Sequence, residues 1–215
     1  MYRALLFDLD GTLAETDSLH LPTWVDALQP YGVEVDEEFY KDKISGRSTG
    51  EIVRDLLPDL TDEEGRSIGD AKEASFRERA SELEALPGLA DFIKQGRERG
   101  MKIALVTNAP EANVEAILAA LNLRNFFDVV VLADEVEAVK PDPAPYRAAL
   151  KKTGVTAAGA LAFEDSVSGI SSSVAAGVPT VGIASTQDPE KLLNAGAFMT
   201  AKDFTDSQLR ALIGA

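Results

Sequence analysis

The second half of the chain alternates two patterns, and that alternation constrains the fold most. Short apolar runs at 102–107, 129–133, 160–163 and 180–183 are each followed by a helical pattern, at 111–121, 143–153, 166–176 and 189–195. One more strand pattern occupies residues 3–8. Runs that are apolar throughout, rather than at every second position, predict strands covered on both faces. Helices between them predict parallel pairing. The expected fold is therefore α/β, a doubly wound parallel sheet of Rossmann-like type.

Residues 17–82 break the alternation. They hold no convincing strand, and read as helices over 19–32, 36–43, 49–57 and 61–83, with Asp or Thr near several starts. Leu86-Pro87-Gly88 closes the segment. The predicted division is a core of residues 1–16 and 86–215, with a small helical cap of residues 17–85 inserted after the first strand. Tethers near Thr16 and Ala85 leave the core at one edge, an arrangement suited to a lid.

Length and charge narrow the partners. At 215 residues and 45% hydrophobic content the chain is long enough for one large domain or two unequal ones. The net charge of −15 argues against nucleic acid and anionic membrane as partners, although a small anionic substrate remains compatible with a locally positive site. Most of the acid is expected on solvated helix faces. No apolar run approaches the roughly 20 residues of a membrane helix. The N-terminus runs straight into a strand rather than a signal sequence. Cysteine is absent, which excludes disulfides and thiolate metal sites. A cytoplasmic monomer is the expectation.

In open α/β sheets ligands sit at the carboxyl ends of the strands. The first strand ends at Asp8-Leu9-Asp10-Gly11-Thr12. Residues two apart on a strand point to one side, so the two carboxylates share a space and Gly11 allows the chain to turn. The next ends bring Thr107-Asn108, then Lys140-Pro141, then Glu164-Asp165-Ser166. Each motif has an ordinary explanation alone. Asp-x-Asp-Gly is a common turn, Lys140 a loop charge, and Asp165 or Ser166 a helix cap. Their convergence at four strand ends points instead to phosphoryl chemistry.

Asp8, Asp10 and Asp165 offer oxygen ligands to a divalent cation, with Mg²⁺ favoured because it retains water and phosphate oxygens as ligands. Glu164 is placed to orient a water behind them. Lys140 supplies charge that keeps the acids ionised and meets an anionic substrate. Thr107 and the backbone N–H groups at Asn108 and Gly11 suit phosphate oxygens. Asp8, nearest the cation, is the attacking carboxylate. Asp10, further towards the helical segment, is the proton carrier.

With these residues in place, the chain resembles the haloacid dehalogenase superfamily of phosphotransferases. The four motifs are Phe7-Asp8-Leu9-Asp10-Gly11-Thr12, Val106-Thr107-Asn108, Lys140-Pro141 and Phe163-Glu164-Asp165-Ser166. The resemblance spans the whole chain, including a helical cap after the first motif. It implies Asp8 as nucleophile, Asp10 as general acid/base, Mg²⁺ on Asp8, the Asp10 carbonyl oxygen and Asp165, and phosphate on Thr107 and Lys140. The dehalogenase branch lacks an acid at the position of Asp10 and uses no metal, so Asp10 favours phosphoryl transfer.

Residues 17–20, 44–49, 106–110 and 163–170 resemble the β-phosphoglucomutase and sugar-phosphatase group. The implied activity is hydrolysis of small phosphorylated metabolites, sugar phosphates first. A phosphosugar mutase and a phosphoglycolate phosphatase are the alternatives. A mutase cap carries two basic residues around the glycine matched by Gly46; here those positions are Ser45 and Thr49, and Arg47 is one cation only. His20, the only histidine, either reaches Asp10 or substrate from the cap hinge or lies on the cap surface. Trp24 is read as cap core. A non-catalytic protein binding Mg²⁺ and a phosphorylated ligand is the rival from another class.

Overall fold

A computed structural model describes residues 1–214. Its described strands are β1 (Ala4–Phe7), β2 (Lys102–Val106), β3 (Val129–Val131), β4 (Ala160–Glu164), β5 (Thr180–Ile183) and β6 (Met199–Ala201). They form one sheet in the order β3-β2-β1-β4-β5-β6, and every neighbouring pair is parallel. The doubly wound α/β fold read from the sequence is the one found.

Period two in β1 divides two cores. Leu5 and Phe7 face one side, where Phe7 stacks on its register partner Phe163 at 4.8 Å between ring centroids, with Phe92 and Phe204 around them. Each ring withdrawn from water contributes about 1.5–3 kcal/mol. Ala4 and Leu6 face the other side, where small residues of β2 and β4 make room for Tyr146 and Ala149 of helix α7 (Ala144–Thr153). The other helices around the sheet are α5 (Leu89–Glu98), α6 (Glu111–Ala120), α8 (Val167–Ala175), α9 (Pro189–Asn194) and α10 (Ser207–Leu212).

Helices α5 and α10 and strand β6 fall outside the predicted elements. α5 lies tight on the sheet because Gly96 has no side chain; a Cβ there would sit 2.7 Å from Leu5 Cδ1. β6 has three residues, too few for a periodic signal, and exists because it pairs with β5. β3 is shorter than predicted, because the backbone turns into a 3₁₀ segment at Ala133–Glu135.

Residues 17–83 are helical: α1 (Asp17–Leu28), α2 (Glu37–Lys43), α3 (Thr49–Leu56) and α4 (Asp62–Arg79). Capping residues set their starts. Ser48 with Glu51, and Thr61 with Glu64, form reciprocal capping boxes, and Asp36 accepts from Phe39 N–H. α1 ends earlier than predicted, passing into a 3₁₀ turn at Gln29–Tyr31 that Gly32 closes at φ +74°. Trp24, Leu28, Tyr40, Ile44, Ile52, Val53 and Leu57 form an apolar cluster of their own. Ala14 and Ala85 pair in an antiparallel bridge, and Leu86 N–H donates to the Leu13 carbonyl at 2.8 Å. The chain thus leaves the sheet and returns to it at adjacent points. No helix among the described residues is long and apolar enough to cross a membrane.

α4 buries Gly69, Lys72, Glu73 and Phe76. That spacing is the inner face of a helix, where apolar side chains are the rule. Two charged residues there need partners, and they face the strand ends.

Candidate active site

A cavity of about 330 Å³ lies between these helices and the carboxyl ends of β1, β2 and β4. Its size suits a small metabolite. Asp8 follows β1, with its N–H still bonded to the Phe163 carbonyl at 3.0 Å, so the sheet fixes its direction. Leu9 turns into the core, and Asp8 and Asp10 both line the cavity. Gly11 adopts φ +71°, and a Cβ on it would lie 2.0 Å from Asp165 Oδ2. Glycine is therefore required for two reasons there, backbone sign and close approach.

Lys140 is the hub. Its Nζ donates to Asp8 Oδ1 at 2.5 Å and to the Val106 carbonyl at 2.8 Å, and lies 2.6 Å from Glu164 Oε1. Asn108 holds the lysine backbone from both sides: Lys140 N–H donates to Asn108 Oδ1 at 3.1 Å, and Asn108 Nδ2 donates to the Lys140 carbonyl at 3.3 Å. Thr107 Oγ1 accepts from Ala109 N–H at 2.9 Å, which aims the hydroxyl proton elsewhere. Ser166 caps α8 by accepting from Gly169 N–H at 3.0 Å, leaving Asp165 to face the cavity.

One oxygen from each of Asp8, Glu164 and Asp165 lies within 4.8 Å of the others. The Asp10 carboxylate is not part of that group and turns towards His20, 3.4 Å away. The sequence reading has Lys140 keeping the acids ionised; burial proves stronger. Burial pushes Asp8 up to about 8 against the pull of the ammonium. Burial likewise raises Asp165, with the Asp8 charge adding to it, and raises Glu164 despite Lys140. The lysine itself is held firmly charged, because Asp8 and Glu164 outweigh its desolvation. Burial also acts on Asp10, but the hydrogen bond from His20, with the Lys72 charge nearby, wins and holds it below the ordinary carboxylate value.

Once ionised, three carboxylates against one ammonium leave a deficit of two positive charges, which a divalent cation would fill. Glu164 Oε2 is buried without a partner, and the Gly11 notch gives Asp165 its room. An all-oxygen donor set suits Mg²⁺ rather than a softer metal.

His20 lines the cavity, with Nε2 3.4 Å from Asp10 Oδ1. Its ring stacks on Phe76 at 4.1 Å, and Lys72 Nζ lies 2.9 Å from Nδ1. An ammonium can only donate, so Nδ1 accepts and the ring proton sits on Nε2, aimed at Asp10. Gly46 and Arg47 line the cavity, but Arg47 Nη1 is committed to the Lys43 carbonyl at 2.8 Å and to Asp55 at 3.0 Å. Trp24 is buried in the helical cluster, as expected, and Lys72 Nζ lies 5.0 Å from its ring centroid.

Several residues of the site were missed in the sequence. Tyr146 bonds to Glu164, and Thr186 donates to Asp165 Oδ2 at 2.5 Å. Glu73 accepts from Thr49, from Lys72 at 3.0 Å and from Asn113 at 2.6 Å. Only Lys72 and Glu73 left a sequence signal, being charged at core spacing in α4.

Comparison with known proteins agrees with this geometry. The profile of the haloacid dehalogenase-like hydrolases matches residues 5–183. The phosphorylated carbohydrates phosphatase of Thermotoga maritima is 31% identical over 93% of this chain and 94% of its own. The fructose-1-phosphate phosphatase YqaB of Escherichia coli is 32% identical over 85% of this chain and 96% of its own. Among solved structures, a CbbY variant from Rhodobacter sphaeroides in complex with xylulose-(1,5)bisphosphate superposes with a TM-score of 0.85. It is 30% identical, and the match covers 96% of both chains.

Proposed function

Since the chain belongs to the haloacid dehalogenase-like hydrolase family, we propose that it is a Mg²⁺-dependent phosphatase of small phosphorylated metabolites, sugar phosphates foremost, acting through an aspartyl-phosphate on Asp8. The observation that carries this reading is the meeting of Asp8, Thr107, Lys140 and Asp165 at successive strand ends, with Asp10 one step outside and bonded to His20. Phosphatase names among the relatives support it.

Mg²⁺ would be held by Asp8, Asp165 and the Asp10 carbonyl oxygen, with Glu164 behind them, and would neutralise negative charge on the transferring phosphoryl group. Lys140 and Thr107 bind phosphate oxygens. Lys140 also orients Asp8, whose carboxylate oxygen attacks phosphorus as the bond to the leaving oxygen breaks. Asp10 gives its proton to that oxygen. Negative charge arriving with the phosphate raises the proton affinity of Asp10 from its low resting value, and Nε2–H of His20 steadies it when ionised. Asp10 then takes a proton from water, which attacks phosphorus and frees Asp8. The helical segment 17–85 acts as a cap that contacts the leaving group and excludes bulk water. Arg47, paired with Asp55, favours hydrolysis over transfer between two phosphate sites.

A panel of phosphorylated metabolites assayed with Mg²⁺ and with EDTA tests this. Release of phosphate in Mg²⁺ alone is expected, and Asp8→Asn should abolish it with an unchanged circular dichroism spectrum. Lack of turnover of any member from pH 6 to 9 would sink the reading.

A further inference from the structure

The positive charge lining the cavity resides on Arg47, Lys72 and Lys140. Each already has a carboxylate oxygen within 3.0 Å: Asp55, Glu73 and Asp8 respectively. Lys140 belongs to the strand ends and serves the transferred phosphate. The other two belong to the helical wall, where their charge is cancelled inside the wall itself.

Glu73 sets the character of that wall. It is 8% exposed, and its carboxylate accepts from three donors: Thr49, Lys72 and Asn113. A carboxylate has about four lone-pair sites, so one remains for a donor from the cavity. A hydroxyl fits that vacancy. A second phosphate does not, since it would place a dianion against a buried carboxylate, with each cation of the lining already paired.

Resting on the phosphatase reading, we propose that this protein selects monophosphates whose leaving group carries neutral hydroxyls, with Glu73 accepting one of them, and excludes bisphosphates. Glu73 is thus a specificity residue, and Thr49 and Asn113 hold it in place.

Binding tests this separately from turnover. Asp8→Asn protein with Mg²⁺ is titrated calorimetrically with fructose 1-phosphate and fructose 1,6-bisphosphate. The monophosphate is expected to bind at least about tenfold more tightly. Glu73→Gln, added to that background, should weaken the monophosphate about tenfold and narrow the ratio to below about threefold. Ser45→Arg, which brings an extra cation to the wall at a lining residue not bonded to Glu73, should narrow the ratio from the other side. It keeps the test sound if Glu73→Gln misfolds. A bisphosphate that binds as tightly as the monophosphate overturns the inference, as does a ratio that neither variant moves. Selective binding without turnover by the unsubstituted protein would overturn hydrolysis and leave the ligand class standing.

Discussion

Lys140 Nζ has three N–H donors and three acceptors, in Asp8, Glu164 and the Val106 carbonyl, so its orientation is set and a phosphate oxygen gains a donor by displacing one of the three. An ammonium points donors in three directions; a guanidinium presents a flat fork. Lys140→Met is expected to lower kcat/KM about 10²–10³-fold, the usual cost of one transition-state donor, and Lys140→Arg is expected not to restore it. Steady-state kinetics with spectroscopic confirmation of folding checks both. The lysine was legible in the sequence as Lys140-Pro141 after a strand. Its anchors were not: Asn108 grips it across 32 positions, and Tyr146 reaches Glu164 across 18. Contacts of that separation have no periodicity to reveal them.

The start of α8 shows how an element serves the site. Ser166 satisfies the Gly169 N–H, and the missing side chain of Gly169 leaves space for the Glu164 carboxyl. A Cβ there would lie 1.8 Å from Glu164 Oε2. Gly169→Ala improves helix propensity, yet the overlap must win. The variant is expected to lose about 1–3 kcal/mol in urea unfolding, and to lose activity as Glu164 is displaced from Lys140. The four strand ends of the site were readable because each closes an apolar run with polar residues. α5, α10 and β6 were not, since their existence depends on surfaces that earlier elements create.

Across the whole molecule the site is a store of protons. Asp8, Glu164 and Asp165 all sit above their ordinary values because they are buried together. A carboxyl raised from 3.8 to about 8, as Asp8 is, contributes stability that is full below about pH 4 and lost as pH rises through about 8. In EDTA the melting temperature should therefore fall between pH 6 and 9, with a shallower slope in Asp8→Asn. Saturating Mg²⁺ should raise the melting temperature most at the alkaline end. Binding of Mg²⁺ at pH 7 should release about one proton, measured by calorimetry in buffers of different ionisation heat. A pH-independent melting temperature in EDTA would contradict the burial of these acids. The balance of charge was only half visible beforehand: the sequence places the acids and the lysine together, but burial decides their protonation.

By itself the sequence determined five strands of the sheet, the helical run after the first of them and the polar groups at the strand ends, because each is written in local pattern: runs, caps and polar residues that end a run. Tertiary structure decided what those groups are worth. It aimed Asp10 at His20, raised the three buried carboxyls, and set Arg47 against Asp55 and Lys72 against Glu73. Charge and solvation depend on distance in space, and residues as far apart in the chain as Asp8 and Lys140 acquire that distance only when the fold closes.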